Sequence, residues 1–438
     1  MKDTSNLLGD GIVVLLRQLA KLAKAELGSF ATEQGCGRYV GERSLKGGAE
    51  LDWDSPKERA RLLAEIVADA DRLLAEARSV AATLSPESAE AAALTRAAEL
   101  LGQVLLQDIN RTEQGPALRD GVARDRMPSV HDPEVRHGRK SAQKRFDGHK
   151  AQIAVDTEEQ LITAVTVLAG NAPDADEALA MVVETEENTG IAVEETVADC
   201  AYGSGATRQQ FADVGRSLVA KVAVTRNGDC FPKTDFVIDL EAHSCTCPAG
   251  QGGTPCYSKP GKATSQRRLR GFRFAAETCA SCPLRPQCVR GKGGRSIAVH
   301  PQEALLQQAR ALQHSAKFDA YRKARQAAEH RLARLVQLGI RQARYVGRQK
   351  TLFQLLMAAT VANLTLLAGR GNWEGPGEGP SVLLLVQLAL LAFLSLALAS
   401  VTASDAASRR FPSSPALNHG HEPRPILRFQ MAHSRPHL

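Results

Sequence analysis

Val193-Glu-Glu-Thr-Val-Ala-Asp-Cys-Ala-Tyr202, followed by Gly203-Ser-Gly205, is the stretch that decides the fold. An extended, β-leaning run reaches a single carboxylate at Asp199. A small-residue turn then opens into the polar segment Ala206–Ala212. An acid at the exposed end of a buried strand is where α/β proteins place metal ligands. Upstream, His149–Asp156 alternates and Leu161–Leu168 is β-rich, while Asn171–Asn188 reads as a helix. The order strand, strand, helix, strand-with-acid describes a mixed α/β sheet. A second acid, Glu329, lies in the strongly basic helical stretch Tyr321–Arg334. A lone carboxylate among arginines, in a chain of net charge +7, points to chemistry on a phosphate backbone.

Composition bounds the answer. The 438 residues allow two or three domains, and 43% hydrophobic content is enough for real cores. The sequence pI is near 9.0. Positive charge favours nucleic acid here because it is clustered. Nine cysteines sit in a chain whose Met1-Lys-Asp-Thr-Ser start lacks a signal peptide, so a reducing cytoplasm, at the nucleoid, is the expected location. Cysteines clustered in that setting read as metal ligands rather than disulfides. Only 4% of residues are aromatic, too few for typical sugar stacking, which disfavours a glycosidase use of the two acids.

Outward from the Asp199 strand, Asn6–Glu26 reads as an amphipathic helix. Ser55-Pro56-Lys57-Glu58 and Ser85-Pro86-Glu87 each read as a helix start, giving a hairpin of helices to about Leu84 and about Ile109. Thr112–Pro128 is loop-like, and Ser217–Val224 reads as a strand. Glu303–Gly339 is a long helical stretch, and Gln349–Ala368 a further apolar helix packed on the sheet. After Gly369 a Gly/Pro linker leads to Val382–Val401, almost wholly apolar and about the length of a membrane span, then to a basic Pro/His-rich tail. Because the composition changes so sharply at Gly369, the preferred reading of Val382–Val401 is a shifted or foreign reading frame rather than an anchor, and no membrane partner is expected.

Several motifs in order carry a family resemblance. They are Asp132-Pro-Glu-Val-Arg136, Phe146-Asp-Gly-His-Lys150 leading into Ile153-Ala-Val-Asp156, Ala198-Asp-Cys-Ala-Tyr-Gly203, Arg325-x-x-x-Glu329, and Arg344-Tyr345-x-Gly347 before a helix ending in Ala362-Asn363-Leu364. Together they resemble bacterial insertion-sequence transposases with an Asp-Asp-Glu active site, in the subgroup with a helical insert and a cysteine cluster. The resemblance implies an α/β fold with a ribonuclease H-like mixed sheet, a helical-hairpin insert and a small zinc-binding insert. The implied layout is a helical region over 1–110, a catalytic core over 111–229 and 296–369, a cysteine-rich insert over 230–295, and a linker, apolar segment and tail over 370–438. It also implies metal-dependent phosphodiester cleavage and strand transfer on double-stranded DNA by a homodimer.

In such enzymes carboxylates hold two Mg²⁺ ions, which Mn²⁺ can replace, and hard cations of this kind prefer oxygen ligands. Carried over to this chain, Asp199 is the second acid and Glu329 the final one, both Mg²⁺ ligands. Arg325, one helical turn before Glu329, shares its face. The first acid of the pattern has no counterpart, since Lys2-Asp3-Thr4 resembles the helix after the catalytic strand. The expectation is therefore a transposase truncated at its N-terminus, with Asp156 or Asp132 as possible substitutes. The alternative is an inactive DNA-binding remnant that competes with a full-length enzyme.

Cys279-Ala-Ser-Cys282-Pro-Leu-Arg-Pro-Gln-Cys288 and Cys245-Thr-Cys247-Pro-Ala-Gly250 are the second strong signal. Four thiolates suit a closed structural zinc site. The expected ligands are Cys247, Cys279, Cys282 and Cys288, with Cys245 or Cys256 as alternatives. Arg267, Arg268, Arg270 and Arg273 between the thiols would present charge to DNA. Two basic runs are the best backbone-phosphate candidates: Arg136, Arg139, Lys140, Lys144, Arg145 and Lys150, and Arg341, Arg344 and Arg348.

Overall fold

In a computed structural model, residues 4–41, 52–140, 143–224, 227–258 and 268–370 are described in full, and 427–434 as a backbone strand. The Val382–Val401 segment and Arg267 lie outside the described residues. The N-terminal part is helical: α1 (Thr4–Leu22), α2 (Leu27–Glu33), α3 (Pro56–Ala81) and α4 (Ala89–Asp108). Leu8, Ile12, Leu15, Leu16 and Leu19 of α1 recur at helical spacing and are buried against Ile66 and Leu73 of α3 and Leu94 and Leu101 of α4. Gly11 permits the close approach of α4, because a Cβ there would meet Leu101 Cδ1 at 3.0 Å.

Ser55 caps α3, with Pro56 in the first position, as its sequence predicts. The second predicted start is displaced. Ser85-Pro86 lies in a turn closed by Ser88 N–H to Ser85 O at 2.9 Å, and Ser88 is the cap, accepting from Ala91 N–H at 3.1 Å. The serine three residues later offers the same capping oxygen without proline constraining the residue before it.

The end of α4 fastens this helical unit to the chain that follows. Asp108 accepts from Arg126 Nε at 2.8 Å and Nη2 at 2.5 Å, and from Thr4 Oγ1 at 2.9 Å. Gln107 and the Met127 backbone exchange two further bonds at 2.9 Å. A short hairpin, β1 (Ile109–Thr112) with β2 (Gly115–Leu118), occupies part of the stretch that composition alone reads as loop.

The mixed sheet is built on β4. In chain order it comprises β3 (Arg136–Arg139), β4 (Arg145–Asp156), β5 (Ile162–Ala169), β6 (Val193–Ala198) and β7 (Ser217–Ala220). Between β5 and β6 lies α5 (Ala178–Thr189), which starts later than its sequence suggests, and α6 (Gly205–Asp213) precedes β7. β4 runs antiparallel to β3 and β5, and β6 runs parallel to β7. The last described strand, β13 (Leu427–Ser434), lies between β4 and β6, antiparallel to the first and parallel to the second.

Alternation along β4 separates two cores. Ile153 and Val155 face one side, and Ala154 faces the other, where it joins Met181, Val182, Tyr202 and Phe211 of the α5–α6 layer.

Between β7 and the C-terminal helices sits the cysteine-rich region. It has two small antiparallel sheets, β8 (Val237–Asp239) with β9 (Ser244–Thr246), and β10 (Thr254–Tyr257), β11 (Leu269–Arg273) and β12 (Ser296–Ala298), plus α7 (Ala276–Ala280). Phe236, Phe272, Phe274 and Ile297 form its own small core. The long basic stretch then divides into α8 (Glu303–Gln313), α9 (Phe318–Ala324) and α10 (Gln326–Gln337), followed by α11 (Arg348–Gly369). α10 and α11 cover the Ile153/Val155 face. Asn363 docks α11 on β5, accepting from Ile162 N–H at 2.9 Å and donating to Ile162 O at 2.8 Å.

Removing one partner of the buried Asp108–Arg126 pair leaves an uncompensated charge. Asp108→Ala should cost about 3–5 kcal/mol in urea unfolding. The double variant Asp108→Leu with Arg126→Met should recover most of that loss.

Candidate active site

Asp199 stands at the carboxyl end of β6, where the strand gives way to a single 3₁₀ turn, Cys200–Tyr202. It is half-buried, and its Oδ1 accepts from Ala201 N–H at 2.8 Å. The bond fixes the carboxylate at the sheet end and leaves further lone pairs for a ligand. Beneath it, Tyr202 is fully buried and accepts from Gln152 Nε2 at 2.8 Å. Burial, then the charge of Asp199, drives the Tyr202 phenol far above its ordinary acidity range, so it stays protonated. Gly203 permits a tight turn, since a Cβ there would lie 2.0 Å from Lys221 O. Arg208 of α6 is buried and donates to the carbonyls of Gly203, Leu218 and Ala220, so it ties the turn to β7.

Glu329, exposed, lies in the first turn of α10, paired with the half-buried Arg325 at 2.8 Å across one helical turn. Two contacts anchor the chain around it. Tyr321 Oη donates to Glu195 of β6 at 2.8 Å, four residues before Asp199. Ile340, past the end of α10, lines a cavity with His149 and Ala151. Those residues lie beyond the level of Ala198, because Ala198 and Ala154 share the partner Met431 on β13. Glu329 lies between these two anchors in chain order.

The two candidate substitutes for a further acid are engaged elsewhere. Asp156 caps the β4–β5 turn, accepting from Glu158 N–H at 2.8 Å and Glu159 N–H at 3.1 Å. Asp132 accepts from Gly347 N–H at 3.0 Å, and Glu134 from Arg348 N–H at 2.7 Å. Two motifs far apart in sequence thus meet, with the acids seated on the amide end of α11. Among the described residues, no group of three or more His, Cys, Asp or Glu stands where it could hold one metal ion.

The four predicted zinc ligands line one cavity. Cys247, Cys279, Cys282 and Cys288 share it with Phe231, Phe274 and Arg295. Burial raises the Cys288 thiol pKa, and the nearby thiols of Cys279, Cys247 and Cys282 raise it further, against the lowering effect of Arg295. Gln251 N–H donates to Cys247 Sγ at 3.4 Å, a bond that suits a thiolate. Four thiols are the donor type that zinc takes, but among the described residues no three of them stand close enough to hold one ion. Cys245 is buried beside Phe236 and Phe272, and burial pushes its thiol up to about 11. Cys256 is half-buried on β10.

The basic residues divide into two groups. Lys150, expected at the DNA surface, is instead buried and paired with Asp174 at 2.7 Å, because its position on β4 points it inward. Arg136 is half-buried and donates to the carbonyls of Pro133 and Val135, so its fork serves its own loop. Arg139, Lys140, Lys144, Arg145, Arg341, Arg344 and Arg348 are exposed, as are Arg268, Arg270 and Arg273.

Arg331 was concealed within the basic run of α10. It is only 6% exposed, on the helix face with Ala327, Ala328 and Leu335, and its Nε and Nη2 have no partner among the described residues. Burial and the like charges of Arg334 and Arg370 lower its pKa. The only signal available in the sequence was its helical phase with those apolar residues.

Residues 246–368 match a family model described as the transposase DDE domain. That stretch, under a third of the chain, takes in the four cysteines of the thiol cavity, Arg325, Glu329 and nearly all of α11, and begins after Asp199. No curated protein and no solved structure matches the chain.

Two outcomes follow. Arg331→Met should be neutral or stabilising by about 1–4 kcal/mol in chemical denaturation, since it removes an uncompensated buried cation. A loss of several kcal/mol would show that Arg331 has a partner. His149, buried near Asp132, has its pKa lowered from the ordinary 6.5, chiefly by burial. Its contribution is full above that value. As pH falls below it, the unfolded chain takes up a proton that the folded imidazole resists, so stability drops by at most about 1.4 kcal/mol per pH unit. The difference between the stability–pH curves of wild type and His149→Gln should carry that slope on the acid side of 6.5 and flatten above it.

Proposed function

We propose that this protein is a DNA transposase that cleaves and transfers phosphodiesters at the sheet end marked by Asp199, with Glu329 as the closing acid. The observation that carries the reading is the DDE-domain match over Glu329 together with the sheet that presents Asp199. The strand order supports a ribonuclease H-like core: an antiparallel pair, a central strand between β4 and β6, then two parallel strands.

Asp199 and Glu329 would hold Mg²⁺ or Mn²⁺, which supplies Lewis-acid stabilisation of a phosphoryl oxygen and a more acidic bound water. Arg325 holds the Glu329 carboxylate by its ion pair, or turns to a phosphate when Glu329 takes a metal. The exposed Lys140, Lys144, Arg145, Arg341, Arg344 and Arg348 would neutralise backbone phosphates without reading sequence. The four-cysteine cavity would hold a structural zinc that staples the insert. Such an enzyme works in the cytoplasm on the nucleoid, as a homodimer on paired ends.

A second reading is favoured by one observation, that among the described residues no three His, Cys, Asp or Glu stand together to hold a metal ion. On that reading the protein binds DNA and competes with an active enzyme.

Incubation with supercoiled plasmid and Mn²⁺ distinguishes the two. The leading reading predicts nicking that falls at least about a hundredfold in both Asp199→Asn and Glu329→Gln, the loss expected when several kcal/mol of metal stabilisation goes. Retarded but uncut DNA supports the second reading, and nicking that survives in both variants defeats the first. For the staple, elemental analysis should find one zinc per chain, lost in Cys279→Ser with Cys282→Ser.

A further inference from the structure

The Arg344-Tyr345-x-Gly347 motif carries a side chain that neither the fold nor the proposed reaction uses. The chain has five tyrosines, and four of them give their hydroxyls a partner: Tyr39 with Asp69, Tyr202 with Gln152, Tyr257 with His243 and Tyr321 with Glu195. Among the described residues, the Tyr345 hydroxyl has none. Tyr345 is 48% exposed and its neighbour Val346 58%, so an aromatic ring and a branched apolar side chain stand together in water.

The loop that carries them is fastened on both sides. Upstream, Gln354 of α11 clasps it, accepting from Arg344 N–H at 2.9 Å and donating to Gln342 O at 3.0 Å. Downstream, Gly347 N–H donates to Asp132 at 3.0 Å and Arg348 N–H to Glu134 at 2.7 Å. Gly347 has φ +93°, in the left-handed region that favours glycine, and the chain turns there into α11. Tyr345 and Val346 lie between the two clasps and are held out to solvent. Ordering a contact surface in advance reduces the entropy lost when a partner settles on it.

Charge and position indicate the partner. Arg341, Arg344 and Arg348 flank the pair and are exposed. The loop begins at Ile340, over His149 and Ala151, which lie past the level of Ala198 on the side of the sheet where Asp199 stands. An aromatic face among guanidinium groups suits a nucleic-acid strand, with phosphates on the cations and a base on the ring. Bases in an intact duplex are stacked on both faces and offer a protein only their edges. We infer that Tyr345 is a stacking platform for an unpaired base beside the phosphodiester that this site takes. The inference rests on the DNA reading of the site and adds to it a preference for unpaired over paired DNA.

The test measures binding of the full chain to a fluorescently labelled duplex with a short central mismatched bubble, and to the same duplex fully paired. No divalent metal is added, so binding is read apart from cleavage. Wild type should prefer the bubble. Tyr345→Ala should weaken binding to the bubble roughly tenfold and to the paired duplex less than about twofold, since the ring contributes only where a base is free. Tyr345→Phe should bind both DNAs as wild type does, because the hydroxyl has no partner to lose. 2-Aminopurine placed in the bubble should be quenched by wild type and by Tyr345→Phe, and not by Tyr345→Ala. Equal wild-type affinity for the two DNAs, or equal losses on both in Tyr345→Ala, overturns the inference. A bubble preference in a protein that never nicks plasmid refutes the cleavage reading and leaves this inference standing. Nicking without the preference refutes this inference alone, and failure to bind either DNA refutes both.

Discussion

Everything around Asp199 depends on the register of β4. Its alternation sends Ile153 and Val155 to the α10–α11 layer and Ala154 to the α5–α6 layer. A slip of one residue would exchange the two faces, burying Lys150 and Gln152 against the apolar side of α11. Polar partners hold the register from within: Lys150 with Asp174 and Gln152 with Tyr202. The second contact reaches the turn that carries Asp199, so the packing of one strand sets the position of a carboxylate on another. A buried ion pair of this kind is a poor source of net stability but a strong selector of arrangement, because any other register leaves a buried charge unpaired.

The elements with a strong local signal were legible in the sequence. The Ser55-Pro56 start, the amphipathic α1 and the β-branched run ending at Asp199 all depend on neighbours a few residues away. The features that were not legible are long-range. Nothing near Asp132 or Glu134 announces that both acids would cap the amide end of a helix some two hundred residues later. Lys150 reads as one more cation in a basic run, and only the sheet turns it inward. The single helix read from Glu303 to Gly339 divides into three, with breaks near Ser315 and Arg325 that contain no proline or glycine to signal them. The position of β13 between β4 and β6 is the extreme case, since adjacent strands there come from distant parts of the chain.

The candidate site itself was half legible. Asp199 and Glu329 stand out by motif order, and the thiol cavity by its Cys-x-x-Cys spacing. Arg331 did not, although a guanidinium whose Nε and Nη2 lack partners among the described residues is an unusual group to bury. It lies two residues from Glu329, so a charge that settles near that acid would also be felt by this cation, in a setting that screens charge less than water does.

The claim on which the account rests is that one divalent ion touches both Asp199 and Glu329. Loading the protein with Fe²⁺ in place of Mg²⁺ and generating hydroxyl radicals at the metal would cut the polypeptide next to its ligands. The account predicts two sets of cuts, one at the end of β6 around Asp199 and one in the first turn of α10 around Glu329, both suppressed by excess Mg²⁺. Cuts at one of the two positions alone, or cuts confined to the cysteine-rich region, would contradict it.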